Sequence, residues 1–349
     1  MRVIIASTTV PLVDGGGRLI VRWTAQAMRD AGHEVEEFFL PFPTTPRPIL
    51  TALIGLRATP FAGSADRLIA IRWPAHMVRH ENKAAWFIHH YRELFDLWDS
   101  PHRAIAMERE AVAYRETFRR FDTQGLTECR DVFSNSLIVQ ERIRKYNAVD
   151  AEPLLPPIGG DLSRFRTEIY GDFIFYPSRV TPIKRQLLAV QAMRHTRSGV
   201  RLVIAGKAES VGYQKLIRDY VREHDLEEKV DLRLGWLDEA EKVDLLGRCL
   251  AVAYLPLDED SYGYPSLEAS HSAKAIVTAR DSGGALEFVR DGSEGLVVEP
   301  EPQSVARAFD QLFEDRPLAQ RLGAGSDARR AELGISWPRV IARLLGEGA

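Results

Sequence analysis

Cysteine is nearly missing: Cys129 and Cys249 are the only two in 349 residues, far apart and outside any C-x-x-C spacing. That argues against a disulfide framework or a thiolate zinc site and suits a reducing cytosol. Long apolar runs are missing too, since no stretch reaches the roughly 18 consecutive apolar residues of a spanning helix. An excess of one charge is also lacking. Lys and Arg number 46 against 49 Asp and Glu, leaving −3 at pH 7, which gives no global support for nucleic-acid binding or electrostatic membrane docking. The opening MRVIIAS has a short apolar run without signal-peptide flanks and reads as a first buried strand. No tandem repeat or low-complexity segment stands out.

What is present is the composition of a globular protein, 45% hydrophobic and 27% charged, long enough for two domains. In the second half, strand-like runs fall at 173–177, 201–206, 230–235, 250–256, 275–279 and 295–298, with helix-length mixtures such as 213–223 and 239–247 between them. Such alternation predicts a parallel sheet covered on both faces, with ligands at the carboxyl ends of its strands. The first half begins alike, with strands at 2–6 and 34–40 around a helix at 19–31, then strands at 67–71, 84–88 and 131–134. Residues 154–160, LLPPIGG, are the strongest linker signal. The expectation is α/β, two Rossmann-like parallel-sheet domains facing across a cleft: 1–165, 166–330, and a helix at 331–349 packing back on the first domain.

At the exit of the run 250–256 stands DEDSYGYPSLEA, with Asp260 and Glu268 on either side of Gly263 and Pro265. Pro265 suits the first turn of a helix, and Gly263 lets the backbone before it approach a ligand. A helix starting there aims its positive end at the strand ends, with Glu268 about one turn in, placed to accept hydrogen bonds from ribose hydroxyls, while Asp260 is placed to grip another sugar. A solvated acidic loop with a helix-terminus carboxylate satisfies the same pattern. YPSRVTPIK sets Arg179 and Lys184 five apart after a strand, two cations able to neutralise a leaving diphosphate or simply two surface charges.

YGYPSLEASHSAKAIVTARDSGGALEFVRDGSEGLVVEP resembles the signature of family 4 retaining glycosyltransferases, glycosyltransferase group 1, which have the two-domain GT-B fold. Gly283, Gly284, Glu287, Asp291, Gly292, Gly295 and Pro300 keep the offsets of the pattern. The usual Glu-x7-Glu becomes Asp260-x7-Glu268, one methylene shorter at the first acid. The resemblance implies a nucleotide sugar on the C-terminal domain: Glu268 on the ribose, Arg179 and Lys184 on the diphosphate, and Asp260 on the sugar with the Gly263–Tyr264 backbone. It sets base contacts near Trp236 and Leu237. DGGGRLIVRWTAQAMRDAGHEV resembles the family's G-G motif and helix, which aligns Gly15 and Gly16 with backbone contacts to the donor. AAWFIHHYRE resembles the strand ending in a sugar-contacting histidine: His89 matches best, His90 is the reserve, and His90 and Arg92 help to form the acceptor side.

The implied activity is transfer of a sugar with retention to an acceptor hydroxyl, by front-face substitution, in polysaccharide, glycolipid or glycosylated-metabolite assembly. Fixed cations at the leaving group make a divalent metal unnecessary, so neither metal nor cofactor is expected. The acceptor is a saccharide, a lipid-linked glycan or a small metabolite. The expected location is the cytoplasm, with the inner face of the membrane as an open extension through 49–56 and the arginine-rich 103–120. Three rivals stand beside this. A nucleotide-sugar epimerase needs no separate acceptor, and a decayed nucleotide-sugar-binding protein would explain the shortened Asp260. A dehydrogenase lacks its glycine fingerprint, since Ile20 stands where G-x-G-x-x-G needs glycine. His76 and His80, four apart, have metal-like spacing, but no acidic or thiolate ligand completes it.

Overall fold

The computed structural model describes residues 1–9, 16–41, 49–59, 61, 63–99 and 109–347. It divides the chain into two compact units, Met1–Gly159 with Ile335–Ala349, and Gly160–Gly334.

The first unit holds β1 (Arg2–Thr9), α1 (Gly16–Asp30), β2 (Glu34–Pro41), α2 (Ile49–Ala58), β3 (Arg67–Ile71), β4 (Lys83–Phe87), α3 (Arg109–Thr127), β5 (Asp131–Ser134), α4 (Leu137–Asn147) and β6 (Glu152–Pro153). All six strands are parallel, in the order β2-β1-β3-β4-β5-β6. Successive residues of a strand point to opposite faces, and the core divides accordingly. Ile4, Ala6, Leu68, Ala70, Ala85 and Phe87 pack under α2, α3 and α4 through Leu53, Phe118 and Ile143. Their neighbours Val3, Ile5, Ile69, Ile71, Ala84 and Trp86 pack against Ile20, Val21 and Met28 of α1. Burial on both faces is why these strands read as unbroken apolar runs.

The second unit holds β7 (Phe173–Pro177), α5 (Gln186–Met193), β8 (Arg201–Ala205), α6 (Val211–Glu223), β9 (Val230–Arg233), α7 (Glu239–Arg248), β10 (Ala251–Ala253), α8 (Tyr264–His271), β11 (Ala275–Ala279), α9 (Ala285–Phe288), β12 (Gly295–Val298), α10 (Pro302–Glu314) and α11 (Arg316–Glu332). Its sheet is also parallel, in the order β12-β11-β10-β7-β8-β9. The chain runs outward from β7 through β8 to β9, then returns to β10 on the other side of β7. That reversal makes β7/β10 a topological switch point, where the carboxyl ends of parallel strands open a crevice.

After Gly334 the chain rejoins the first unit as α12 (Trp337–Leu345). Val340, Ile341, Leu344 and Leu345 join the core beside α1. Arg67 donates from Nε to the Leu344 carbonyl at 2.9 Å, and the Trp337 indole donates to the Ile158 carbonyl at 3.0 Å. Among the described residues no helix is long and apolar enough to cross a membrane.

Candidate functional site

The switch point of the second unit is built by the loops that follow β7 and β10. Lys184 closes a short helical turn at 182–184, and Arg185 follows with φ 54°. The Arg185 guanidinium donates to the Leu255 carbonyl at 2.7 Å, to the Pro256 carbonyl at 2.7 Å and to both Asp281 oxygens at 2.7 and 2.8 Å. It thereby ties the loop after β7 to those after β10 and β11. A bidentate arginine–carboxylate pair carrying two further carbonyls is a stiff joint.

The loop after β10 is stitched along its backbone to the Gly-Gly turn. Asp258 N–H donates to the Asp281 carbonyl at 2.9 Å, and Gly284 N–H to the Glu259 carbonyl at 2.8 Å. Gly283 sits at φ 59°, where a Cβ would lie 2.6 Å from Glu259 N. The motif DSGGALE is therefore the second wall of the acidic loop. Gly263, at φ 75°, caps α8, and Pro265 occupies the first turn, leaving the positive end of the helix dipole at Gly263–Tyr264. A Cβ on Gly263 would lie 2.3 Å from Cε1 of Tyr254, so only glycine lets this backbone cross the ring.

Lys184 donates from Nζ to the Tyr254 hydroxyl at 2.9 Å, lies 5.2 Å from the centre of that ring, and is ion-paired with Glu259. Burial, followed by the Glu259 charge, pushes the Tyr254 phenol well above its ordinary range. Tyr254 is therefore a neutral hydroxyl at any physiological pH. Arg179 is ion-paired with Glu209 on the loop after β8, both side chains about half exposed. Asp260, one residue beyond Glu259, is partly buried.

Glu268 is 7% exposed on α8, and Lys242 of α7 reaches it at 2.6 Å. Lys242 also meets Glu239 at 2.9 Å, and Glu239 in turn meets Arg164 at 2.8 Å. Burial raises the Glu268 carboxyl above its usual range against the pull of Lys242. For Lys242 burial opposes the charge, but Glu268 and Glu239 outweigh it and raise its pKa. The ammonium is thus the secure member of the pair.

Lys184, Asp260 and Gly263 thus lie on connected loops at one switch point, with Tyr264 and Glu268 on α8, which follows, and Arg179 on the loop leading to Lys184. Sequence reading missed Glu259, Tyr254, Arg185 and Lys242. Glu259 had a local signal as the middle acid of Asp-Glu-Asp; Lys242, 26 positions before Glu268, had none. Leu237 is partly buried and Trp236 is 80% exposed, on the loop after β9.

In the first unit, Gly16 opens α1, whereas Gly15 lies outside the described residues, as do 103–108 of the arginine-rich stretch. His89, half-buried, donates from Nδ1 to the His90 carbonyl at 2.8 Å. His90 itself is turned into the core, 2% exposed, its Nε2 2.8 Å from Asn147 Oδ1 and its ring against Phe87 and Phe95. Burial lowers its pKa. That is a packing role, with no face turned toward an acceptor. Arg92 pairs with Asp96 at 2.6 Å. His76 meets Asp122 at 3.1 Å and His80 meets the Ala65 carbonyl at 3.2 Å, so the two histidines serve different partners.

Residues 163–329 match the family model described as "Glycosyl transferases group 1". The chain is 32% identical over 124 residues to the alpha-1,3/1,6-mannosyltransferase ALG2 of Mus musculus, covering 36% of this chain and 29% of that protein. It is 28% identical over 283 residues to the D-inositol 3-phosphate glycosyltransferase of Kineococcus radiotolerans, covering 69% and 64%. The chain thus spans about three tenths of the length of the mannosyltransferase relatives it matches. Among solved structures, Anabaena Alr3699/HepE in complex with UDP and glucose superimposes with a TM-score of 0.74 at 19% identity, over 98% of this chain and 99% of that one. Residues 163–329 thus match the glycosyl transferases group 1 family, and the two six-stranded parallel sheets are those of the GT-B fold.

Proposed function

We propose that the protein transfers a sugar from a nucleoside-diphosphate donor to an acceptor hydroxyl, with retention at the anomeric carbon and without a divalent metal. One arrangement carries the reading. At the β7/β10 switch point a fixed, largely buried ammonium, Lys184, stands on the loop bound to the one that leads into α8, whose positive end faces that loop. A diphosphate requires such fixed positive charge, and a pre-positioned cation stabilises the negative charge that develops as it departs. Arg179 would add a second cation. Glu268, oriented by Lys242, would hold the ribose, and Asp260 with the Gly263–Tyr264 backbone would hold the sugar. The base would lie along Trp236 and Leu237.

The chemistry then needs no side-chain nucleophile. The bond from the anomeric carbon to the phosphate oxygen breaks, and the acceptor oxygen bonds to that carbon from the same face. The acceptor proton passes to the departing phosphate oxygen. His89 and Gly16 of the first unit would serve the donor sugar and Arg92 the acceptor side. Support comes from the family match, from relatives that are mannosyl- and inositol-phosphate glycosyltransferases, and from a fold shared with a protein crystallised with UDP and glucose. Membership of the retaining family 4, a cytoplasmic location and a place in glycan or glycosylated-metabolite assembly belong to the same proposal.

The test is thermal unfolding in EDTA with UDP, GDP, ADP, dTDP and NAD. A ligand at ~100 times its dissociation constant stabilises by about 2.7 kcal/mol. Stabilisation by one nucleoside diphosphate, lost in Lys184→Ala, is the expected result. Stabilisation by NAD alone overturns the reading. Release of free nucleotide from the sugar donor with no acceptor needed, together with an epimerised sugar, would favour an epimerase.

A further inference from the structure

We propose that Glu259 is a built-in counter-ion that holds Lys184 until a diphosphate displaces it, and so sets both the affinity and the charge selectivity of the donor site. The inference rests on the donor-site reading above.

The geometry separates two functions. Lys184 is anchored without Glu259: its ammonium donates to the Tyr254 hydroxyl, its carbonyl accepts from Tyr176, and its backbone N–H donates to Thr181. The Tyr254 hydroxyl is itself hydrogen-bonded to Glu259, but the backbone bonds of Lys184 and the Tyr254 ring beneath its ammonium do not depend on that carboxylate. What it supplies is charge. The Lys184 and Glu259 side chains are only 12% and 20% exposed, and an ammonium at that depth is costly to leave unpaired. Glu259 in turn hangs from a backbone fixed by the Ser282 carbonyl and the Gly284 N–H. Its side chain alone has to rotate for Lys184 to be released, and the loop stays in place.

Two consequences follow. A ligand must offer Lys184 more than one carboxylate charge to win the exchange, which favours diphosphates over monophosphates and over neutral nucleosides. The second cation obeys the same logic more weakly. Arg179 and Glu209 also form a pair, but at 55% and 49% exposure water already screens it. Where a site is closed about 80–90% of the time, opening it permanently tightens binding about five- to tenfold.

The experiment is calorimetric titration of UDP, GDP, ADP, dTDP and uridine into the wild-type chain, Glu259→Gln, Glu209→Gln and Lys184→Ala, at low and high salt, with the unfolding midpoint of each variant as a folding control. The expected result is that the nucleoside diphosphate bound by wild type binds Glu259→Gln about five- to tenfold more tightly. The gain is smaller in Glu209→Gln and shrinks at high salt, where the Debye length falls to ~3 Å at 1 M. Uridine gains nothing. An unchanged or weaker affinity in Glu259→Gln, while Lys184→Ala still loses binding, overturns the counter-ion and leaves the donor site standing. An equal gain for uridine means a loosened loop and also overturns it. Failure of the wild type to bind any of the diphosphates removes the donor site, and the counter-ion with it.

Discussion

The two units share one architecture, six parallel strands with helices on both faces, yet each uses one cluster of ionisable side chains differently. At the candidate site of the second unit, acids and cations stand at or beside the strand ends, although Lys274 and Glu294 of the same unit are buried. Lys184 with Glu259 follows β7 and β10, and Lys242 with Glu268 lies on the two helices beside them. In the first unit a comparable set has moved inside. Asp122, 1% exposed, accepts from the Trp73 indole at 2.8 Å and from Asn147 at 2.7 Å and meets His76 at 3.1 Å, while Asn147 also meets His90. Lys83 is likewise buried, its ammonium donating to the carbonyls of His76, Val78 and Gly125. Charge at a strand end is available to a ligand; charge in the core is spent on holding α3, α4 and the 75–77 turn together. Identical layers thus carry a polar cluster at the edge, suited to chemistry, in one unit and a polar cluster inside the core in the other.

The comparison breaks most visibly at Asp122. Asp122→Ala strips a buried network of its shared acceptor and is expected to cost about 3–5 kcal/mol, measured by denaturant unfolding. Nucleotide binding at the second unit should persist wherever the protein stays folded. Next comes Gly263→Ala, which puts a Cβ into the Tyr254 ring at positive φ; roughly 1–3 kcal/mol of strain should appear as a lower unfolding midpoint and at least tenfold weaker nucleotide binding. Glu268→Gln keeps the shape but removes one of the two carboxylates on Lys242. A loss of about 1–2 kcal/mol in nucleotide affinity is expected with little change in stability, because Glu239 still holds the ammonium.

The last effect is one of pH. Burial and then the Arg330 charge lower the His271 pKa from 6.5 to about 4. The unfolded chain takes up that proton first. The contribution of His271 to stability is therefore whole above about pH 6.5 and is lost as the pH falls toward 4. His271→Gln should flatten the fall in unfolding free energy across that interval, and an unchanged slope would assign it to other groups, His90 first among them.

Much of this was legible because parallel strands buried on both faces need unbroken apolar runs. The runs at 67–71, 173–177, 275–279 and 295–298 coincide with β3, β7, β11 and β12. β6, just before the Pro- and Gly-rich stretch 154–160, was hidden, for two residues of pairing leave no periodicity. Around the candidate site, Gly263 and Pro265 announced α8 because backbone conformation is written locally. The partners of Lys184 and Glu268 were not legible, since Glu259 and Lys242 meet them only when segments 75 and 26 residues apart are brought together. His89 and His90 are alike in sequence, and only the alternation of the chain beyond β4 turns one into the core.

The most direct test of the account is hydrogen exchange, followed by mass spectrometry, with whichever nucleoside diphosphate stabilises the protein. Slower exchange in peptides covering 178–186 and 254–268, with Asp122 and its surroundings unchanged, is the predicted result. Slower exchange confined to the first unit would contradict the assignment of the polar edge to the donor.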